Sequence, residues 1–438
     1  MSESEGEQDP QTQMDPEFAQ HVSTELESTL EERDARAVVH VGSIRDPTIR
    51  YALYAAAATG NDRATALLSR AGTDESVLSA APIEAFTGGT AGGVGSGARI
   101  DSLACTADPT AHGPVAIAFD ATGWLVESES AGSHPADALA SRLTVDRATT
   151  STDALVLTPP SVPHDAALHL EGTGFDLASS GVLERARAQK VDAEVAAIER
   201  AVAAADAGVA RARACLGEAT RKEPERDGAS PVRLVIDDGS PLTAARLERT
   251  VASAALEAGA TPVRVRVTTS AGMPRQAGTA AEATESTGLQ AHHPLVVDVT
   301  TRTATGYHAH LTRTLVADID GGPYRRGHVA LAAAFRSVAA KARADTHPVR
   351  ALEADLEAEI RAFGFGDGDR ISATVAGVGL DRWEEPTGAS ETARGATLAV
   401  AAGIETDAGV VRLADVLVTS ERGARWLGAV DRSLAVGR

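Results

Sequence analysis

Apolar residues in this chain recur at two periods, close to 3.6 and at 2, and the switches between them mark its elements. Three runs between residues 20 and 160 read as short buried strands: "ARAVVHVG" (Ala35–Gly42), "PVAIAFD" (Pro114–Asp120) and "DALVLTP" (Asp153–Pro159). "IRYALYAAAA" (Ile49–Ala58) has helical spacing. A second, longer series follows. Val191, Val195, Ile198, Val202 and Val209 step along one face of a single long helix expected over Gly181–Leu216. "VRLVID", "TAARLERTVASAALEAG" and "TPVRVRVTT" then read as strand, helix with a glycine stop, and alternating strand. "PLVVDVT" turns through "TRTATG" into "YHAHLTRTLVAD", a hairpin. Two helices, about Gly327–Ala344 and Val349–Phe363, and three strand-like pieces, "ISATVAGVG", "ATLAVAAGIE" and "GVVRLADVLVTS", complete the chain.

These elements predict an α/β protein of two domains. Residues 1–18, acidic and polar, read as a disordered tail. Residues 19–160 form a smaller α/β domain, and residues 161–438 a larger one. Between them, "TPPSVPHDAALHLEGTGFDLASS" has the prolines and small polar residues of a connector that leads into a short helix.

Composition changes this picture only at the surface. The chain has 438 residues, 61 acidic and 41 basic, for a formal net charge of −20. Its only lysines are Lys190, Lys222 and Lys341, and aromatics make up 3%. An acidic, lysine-poor, alanine-rich chain is suited to high salt, where screening tolerates a dense negative surface. No basic stripe is visible, so nucleic acid is not expected as a partner. No apolar run is long enough for a membrane span, and no secretory signal is visible, so a cytoplasmic location is expected. Cys105 and Cys215 stand far apart, outside any Cys-x-x-Cys pair.

Few segments carry candidate chemistry. "TGGTAGGVGSG" (Thr87–Gly97) lacks the Lys-Ser/Thr ending of a phosphate loop and reads as a flexible loop. His292-His293 reads as a solvated turn before a proline. "DIDGG" (Asp318–Gly322) lacks the full calcium-loop pattern. The hairpin is the richer candidate. It brings Asp298, His308 and His310 together, and on one strand the two imidazoles share a face. That raises a mononuclear zinc site with three protein ligands, although His310 alone reads more readily as a part-buried, hydrogen-bonded histidine.

The order of these segments resembles the creatinase and Xaa-Pro aminopeptidase family, with its "pita-bread" fold. "VVDVTTRTATGYHAHLTRT" is similar to the family's Asp-bearing hairpin. "AGVGLDRWEEP" is similar to its His-Gly-x-Gly-Leu…His-Glu-x-Pro segment, and "TLAVAAGIE…GVVRLADVLVT" to its pair of Glu-bearing strands. The resemblance covers roughly residues 155–438 and extends to a creatinase-type N-terminal domain before them. It implies a two-metal peptidase in which two Asp, one His and two Glu hold divalent cations. Carried over one position at a time, that ligand set is depleted here. The first Asp is Asp298. The second falls on His310, the His on Ala376, one Glu on Ala401 or Ala402, and the last Glu on Ala414 beside Asp415. The catalytic His falls on Trp383, ahead of Glu384 and Glu385, and "SAGMPRQAGTAAE" lacks the family's upstream His.

The expectation is therefore a family member that has lost metals and peptidase activity, needs no cofactor, and serves as a binding or regulatory protein. Within the family, metal-free pita-bread domains act as protein-binding modules, for example in a histone chaperone subunit. A homodimer with a peptide or protein ligand is the expected assembly. Its cavity candidates are Asp298, His308, His310, Trp383, Glu384, Glu385 and Asp415. The alternative is an active Xaa-Pro peptidase with a rearranged manganese, cobalt or zinc site, drawing on Asp298, His308, His310, Asp318 or Glu405.

Overall fold

The structure is a computed structural model that describes residues 16–79, 113–129, 133–145, 155–222, 232–236, 238–269, 288–317, 322–366, 370–406 and 409–436. The glycine-rich stretch at 87–97, Cys105, Asp318 and the whole segment at 270–282 lie outside them. The chain divides into two compact units, Met1–Arg187 and Ala188–Arg438.

The first unit comprises α1 (Pro16–Arg33), β1 (Ala37–Gly42), α2 (Pro47–Ala58), α3 (Asp62–Ser79), β2 (Val115–Asp120), β3 (Gly123–Ser128), α4 (Pro135–Val145), β4 (Leu155–Thr158), α5 (His164–Gly172), β5 (Asp176–Ser179) and α6 (Val182–Ala188), the last reaching one residue past the division. Its mixed sheet runs β3-β2-β1-β4-β5, with β4 parallel to both of its neighbours. Two expectations are corrected here. The predicted tail to residue 18 ends sooner: α1 begins at Pro16, and Phe18 is fully buried against Tyr51, with ring centroids 5.0 Å apart. The boundary expected at residue 160 falls inside this unit, because β5 returns to pair with β4.

The second unit begins with α7 (Asp192–Glu218), β6 (Thr220–Lys222), β7 (Arg233–Val235), α8 (Ala244–Glu257), β8 (Thr261–Thr269), β9 (Leu295–Arg302) and β10 (His308–Leu315). It continues with α9 (Pro323–Ala344), α10 (Val349–Ala362), β11 (Arg370–Gly377), β12 (Thr397–Thr406), β13 (Gly409–Ser420) and β14 (Gly423–Trp426). An antiparallel sheet runs β11-β12-β13-β10-β9-β8, with β14 added on β13. The helix expected over 181–216 is two helices. Val191 is extended (φ −78°, ψ 165°), and its N–H donates to Glu194 Oε2 at 3.2 Å, so α7 starts afresh.

One face of this sheet carries all four long helices. Val297 and Val299 of β9 are fully buried, and Thr301 beside them donates to the Ala201 carbonyl of α7 at 2.6 Å. Val349, Leu352, Leu356 and Ile360 repeat every three or four residues along α10 and bury against Val375, Leu398, Val400 and Leu413. Successive strand residues point to opposite faces, so the residues between these face away from the helices.

The helix-covered face holds one ion cluster. Arg313 of β10 donates to Asp415 Oδ2 of β13 at 2.9 Å, and the two side chains are 1% and 0% exposed. Arg432 adds bonds of 2.9 and 2.6 Å to the same oxygen, and Val416 N–H donates to Oδ1. Removing one member leaves a buried charge uncompensated. Asp415→Ala is accordingly expected to lower unfolding free energy by about 3–5 kcal/mol. A urea titration showing a loss below about 1 kcal/mol, the worth of an exposed pair, would contradict this assignment.

Candidate functional site

Strand register builds the site on the open face. Residues opposite one another in antiparallel strands share a face. Arg266, Asp298, Thr312, Ala414, Ala401 and Thr374 form one continuous row across six strands. Arg264, Thr300 and His310 form the adjoining row at one end, and Val416, Ala399 and Ala376 continue it at the other. Every position expected to hold a metal ligand thus lies on this face. Ala402 lies on the opposite one and buries in the helix-side core, so Ala401 occupies the expected Glu position.

Asp298 is the one carboxylate in the row. Its neighbour is an imidazole: His310 Nε2 lies 2.9 Å from Asp298 Oδ1. Burial works against ionisation of Asp298, but the His310 hydrogen bond and the charges of His310, Arg382 and Arg264 outweigh it and hold the carboxyl below its usual range. An ionised carboxylate only accepts hydrogen bonds, so His310 Nε2 carries the proton. Thr312 Oγ1 and an Arg382 guanidinium nitrogen stand 3.3 and 3.4 Å from the same ring nitrogen. Trp383, 37% exposed, meets the His310 ring edge-on at 76°, with centroids 6.0 Å apart. His308 sits on the same face. Burial, then the charge of Arg302, lowers its pKa and keeps the ring neutral near pH 7.

Arg382 and Trp383 belong to a loop that is pinned beneath. Lys190, just before α7, bonds Glu384 at 2.6 Å, and the two side chains are 2% and 6% exposed. The loop folds back tightly on the end of β11. A Cβ on Gly377 would lie 2.1 Å from the Glu385 carbonyl oxygen, and one on Gly379 would lie 2.2 Å from Glu384 Oε1. Both glycines of "AGVG" are therefore steric requirements of the loop. Tyr307 OH donates to Glu194 Oε1 at 3.1 Å. Glu194 is fully buried near an ammonium already bound to Glu384. Desolvation raises its pKa to about 7 against the pull of Lys190.

Several predicted residues are elsewhere. Asp415 is corrected from cavity candidate to helix-side ion cluster, because strand alternation turns it away from Ala414. Glu384 points into the Lys190 pair, and Glu385 accepts from Thr387 N–H and hydroxyl at 2.8 Å each. Glu405 pairs with Arg370 at the far end of β12. His292 occupies a turn with φ +65°. Sequence reasoning missed Arg264, Arg266 and Arg382. The "RVRV" alternation in β8 was the available signal, since it sets both arginines on one face.

Two bridged divalent cations require several hard oxygen donors. This face offers one carboxylate, already bound to a protonated ring nitrogen, and alanine has no donor atom. The residues do not fit such a pair. Among the described residues, no group of three or more His, Cys, Asp or Glu is arranged to hold a metal ion.

The sequence model of metallopeptidase family M24 matches residues 196–421. The chain belongs to that family, and its second unit is a pita-bread domain. No curated protein matches the chain in sequence. Among solved structures it is similar to the prolidase from Pyrococcus horikoshii, at 14% identity over 95% of this chain and 99% of that one, with a TM-score of 0.61. It is also similar to dipeptidase PepE from Mycobacterium ulcerans, at 18% identity over 97% and 99%, with a TM-score of 0.63. A third neighbour is the N-terminal domain of FACT complex subunit SPT16 from Cicer arietinum, at 12% identity over 73% and 86%, with a TM-score of 0.52. At these identities the likeness is one of fold. No helix among the described residues is long and apolar enough to cross a membrane.

The Glu194 environment makes stability depend on pH. Its carboxyl titrates near 4.5 when free and near 7 when folded. Between those values the folded chain holds a proton that the unfolded chain has released, so stability falls as pH rises through this window. The loss is on the order of 3 kcal/mol. Glu194→Gln, which mimics the protonated acid, is expected to gain on the parent from pH 5 to about pH 7 and to hold that gain to pH 8 in denaturant titrations. A constant difference across that range would contradict the assignment.

Proposed function

We propose that this chain is a metal-free binding protein on an M24 scaffold and does not hydrolyse Xaa-Pro peptides. One observation carries the reading. The row that would supply bridging carboxylates instead runs Asp298–Thr312–Ala414–Ala401, and its single acid is bound by His310. A mutational change from carboxylate to alanine removes cation affinity without leaving a buried polar group to be satisfied, so the fold tolerates it. His310 in place of a second carboxylate turns a shared demand for cations into an internal hydrogen bond. The SPT16 domain, as a subunit of a complex, supports the idea that this fold serves outside peptidases.

The opposing reading is a metal-dependent Xaa-Pro peptidase with a rearranged site. It draws on the fact that His308, His310 and Asp298 share one face. Protein purified after expression in manganese- and cobalt-supplemented medium distinguishes the two. Mass spectrometry should find substoichiometric metal, and Xaa-Pro dipeptides should remain uncleaved at high potassium chloride with added manganese. Asp298→Ala should change stability modestly, by about 1.5 kcal/mol, the low end for a hydrogen bond to a charged group at a part-exposed site. One metal per chain that is lost in His310→Ala, or a hydrolysis rate that Asp298→Ala abolishes, would sink the proposal.

A further inference from the structure

The open face has the wrong charge for cations and a suitable one for anions. Arg266 stands directly beside Asp298 in register, and Arg264 beside Thr300. Arg382 reaches over from the loop to within 3.4 Å of His310 Nε2. The charges of Arg382 and Arg264 act on the Asp298 carboxylate, whose own hydrogen bond already goes to His310, and Arg266 stands opposite it in register. The chain as a whole carries a net charge of −20, so a cationic cluster here runs against its overall composition. Arg264 and Arg266 are exposed, and the Asp298 side chain is 23% exposed, so the row is reached from solvent.

A second, independent observation points to a ligand. Thr300 Oγ1, His310 Nδ1 and Arg382 Nε are buried polar atoms without a hydrogen-bond partner. Thr300 is 0% and His310 6% exposed. A buried polar group left unpaired costs free energy comparable to a lost hydrogen bond. Here three such atoms belong to residues that are paired across strands or within contact distance of one another. The hydroxyl and the guanidinium are donors, and donors converge where an acceptor binds. Ala401 in the row is part-exposed, and Trp383, 37% exposed, stands at the edge as a flat apolar wall.

We propose that this face binds a small oxyanion, a carboxylate or phosphate, held by Arg264 and Arg382 with Thr300 beneath, and that Trp383 packs on the ligand's planar or apolar remainder. Arginine's planar fork matches either oxyanion through paired charge-assisted bonds. Arg266 adds long-range attraction from the neighbouring register position. The proposal rests on the metal-free reading of the same face and gives it a ligand class.

Isothermal titration of the full chain at constant ionic strength, with sodium phosphate in one arm and sodium benzoate in the other, tests it. Saturable binding of either probe is expected, and the arm that binds identifies the phosphate or the carboxylate class. Arg264→Ala with Arg382→Ala should weaken that binding at least about tenfold, the loss of charge-assisted bonds. Arg264→Ala alone, at an exposed position that folding does not need, should weaken it measurably. Arg361→Ala, on the remote end of α10, should leave it unchanged. Binding that survives in the double variant, or no binding in either arm, would overturn the proposal. In that case the metal-free reading would still stand. Manganese binding at Asp298 would remove both.

Discussion

A single buried ion pair, Lys190 with Glu384, ties the open face of the second unit to its helical face. Taking both charges out of water is costly, and the contact of 2.6 Å only partly offsets that. What the pair provides is position. It fixes the start of α7 against the loop after β11, and Gly377 and Gly379 let the loop lie close enough to reach it. Lys190 N–H also donates to the Gly395 carbonyl, which anchors the same corner through the backbone. With the loop held there, Arg382 and Trp383 have one place to go, above His310. Burial is what holds the proton on Glu194 to about pH 7; the charge of Lys190 pulls the other way and that of Glu384 adds to the rise.

The chemistry of the open face follows from strand register. Antiparallel pairing puts positions from six strands in line, an arrangement that in an M24 peptidase serves to converge carboxylates on metals. The same arrangement here converges one carboxylate, an imidazole, three hydroxyls, two arginines and alanines. Replacing acids by alanine is easy on the fold, because a β-sheet is held by its backbone ladder and its helix-side core, neither of which uses those side chains. Asp415, next to Ala414 on β13, and Arg313, three residues from His310 on β10, face the other way and carry structural work. Their retention beside Ala414 separates what the fold needs from what metal binding needs.

Much of this was legible in the sequence. The larger unit was readable because its strands are long, its helices carry clean apolar stripes, and its hairpin and glycine motifs fall in a recognisable order. Alternation alone would have sent Asp415 to the opposite face from Ala414, and "RVRV" to one side of β8. The first unit was harder. Its β5 is a four-residue strand with no apolar run, so a connector rich in proline looked like a boundary when the chain was still returning to the first sheet. α1 begins in acidic, polar sequence, and only Phe18, Val22 and Leu26 signal that it buries a face. The break at Val191 was hard to read: its one local signal is Glu194 three residues on, and the contacts that hold Lys190 come from Glu384 and Gly395, both about two hundred residues away. The arginines over the site were missed for the same reason: their convergence is set by register and loop position, which no local pattern encodes.

The account stands on the claim that the row through Asp298 has exchanged cation chemistry for a neutral and basic surface. Anomalous diffraction at the manganese edge, from crystals soaked in manganese chloride, tests that claim most directly. The prediction is an electron-density map with no anomalous peak beside Asp298 or His310. Two peaks on this face, about 3.5–4 Å apart as in two-metal hydrolases, would contradict it.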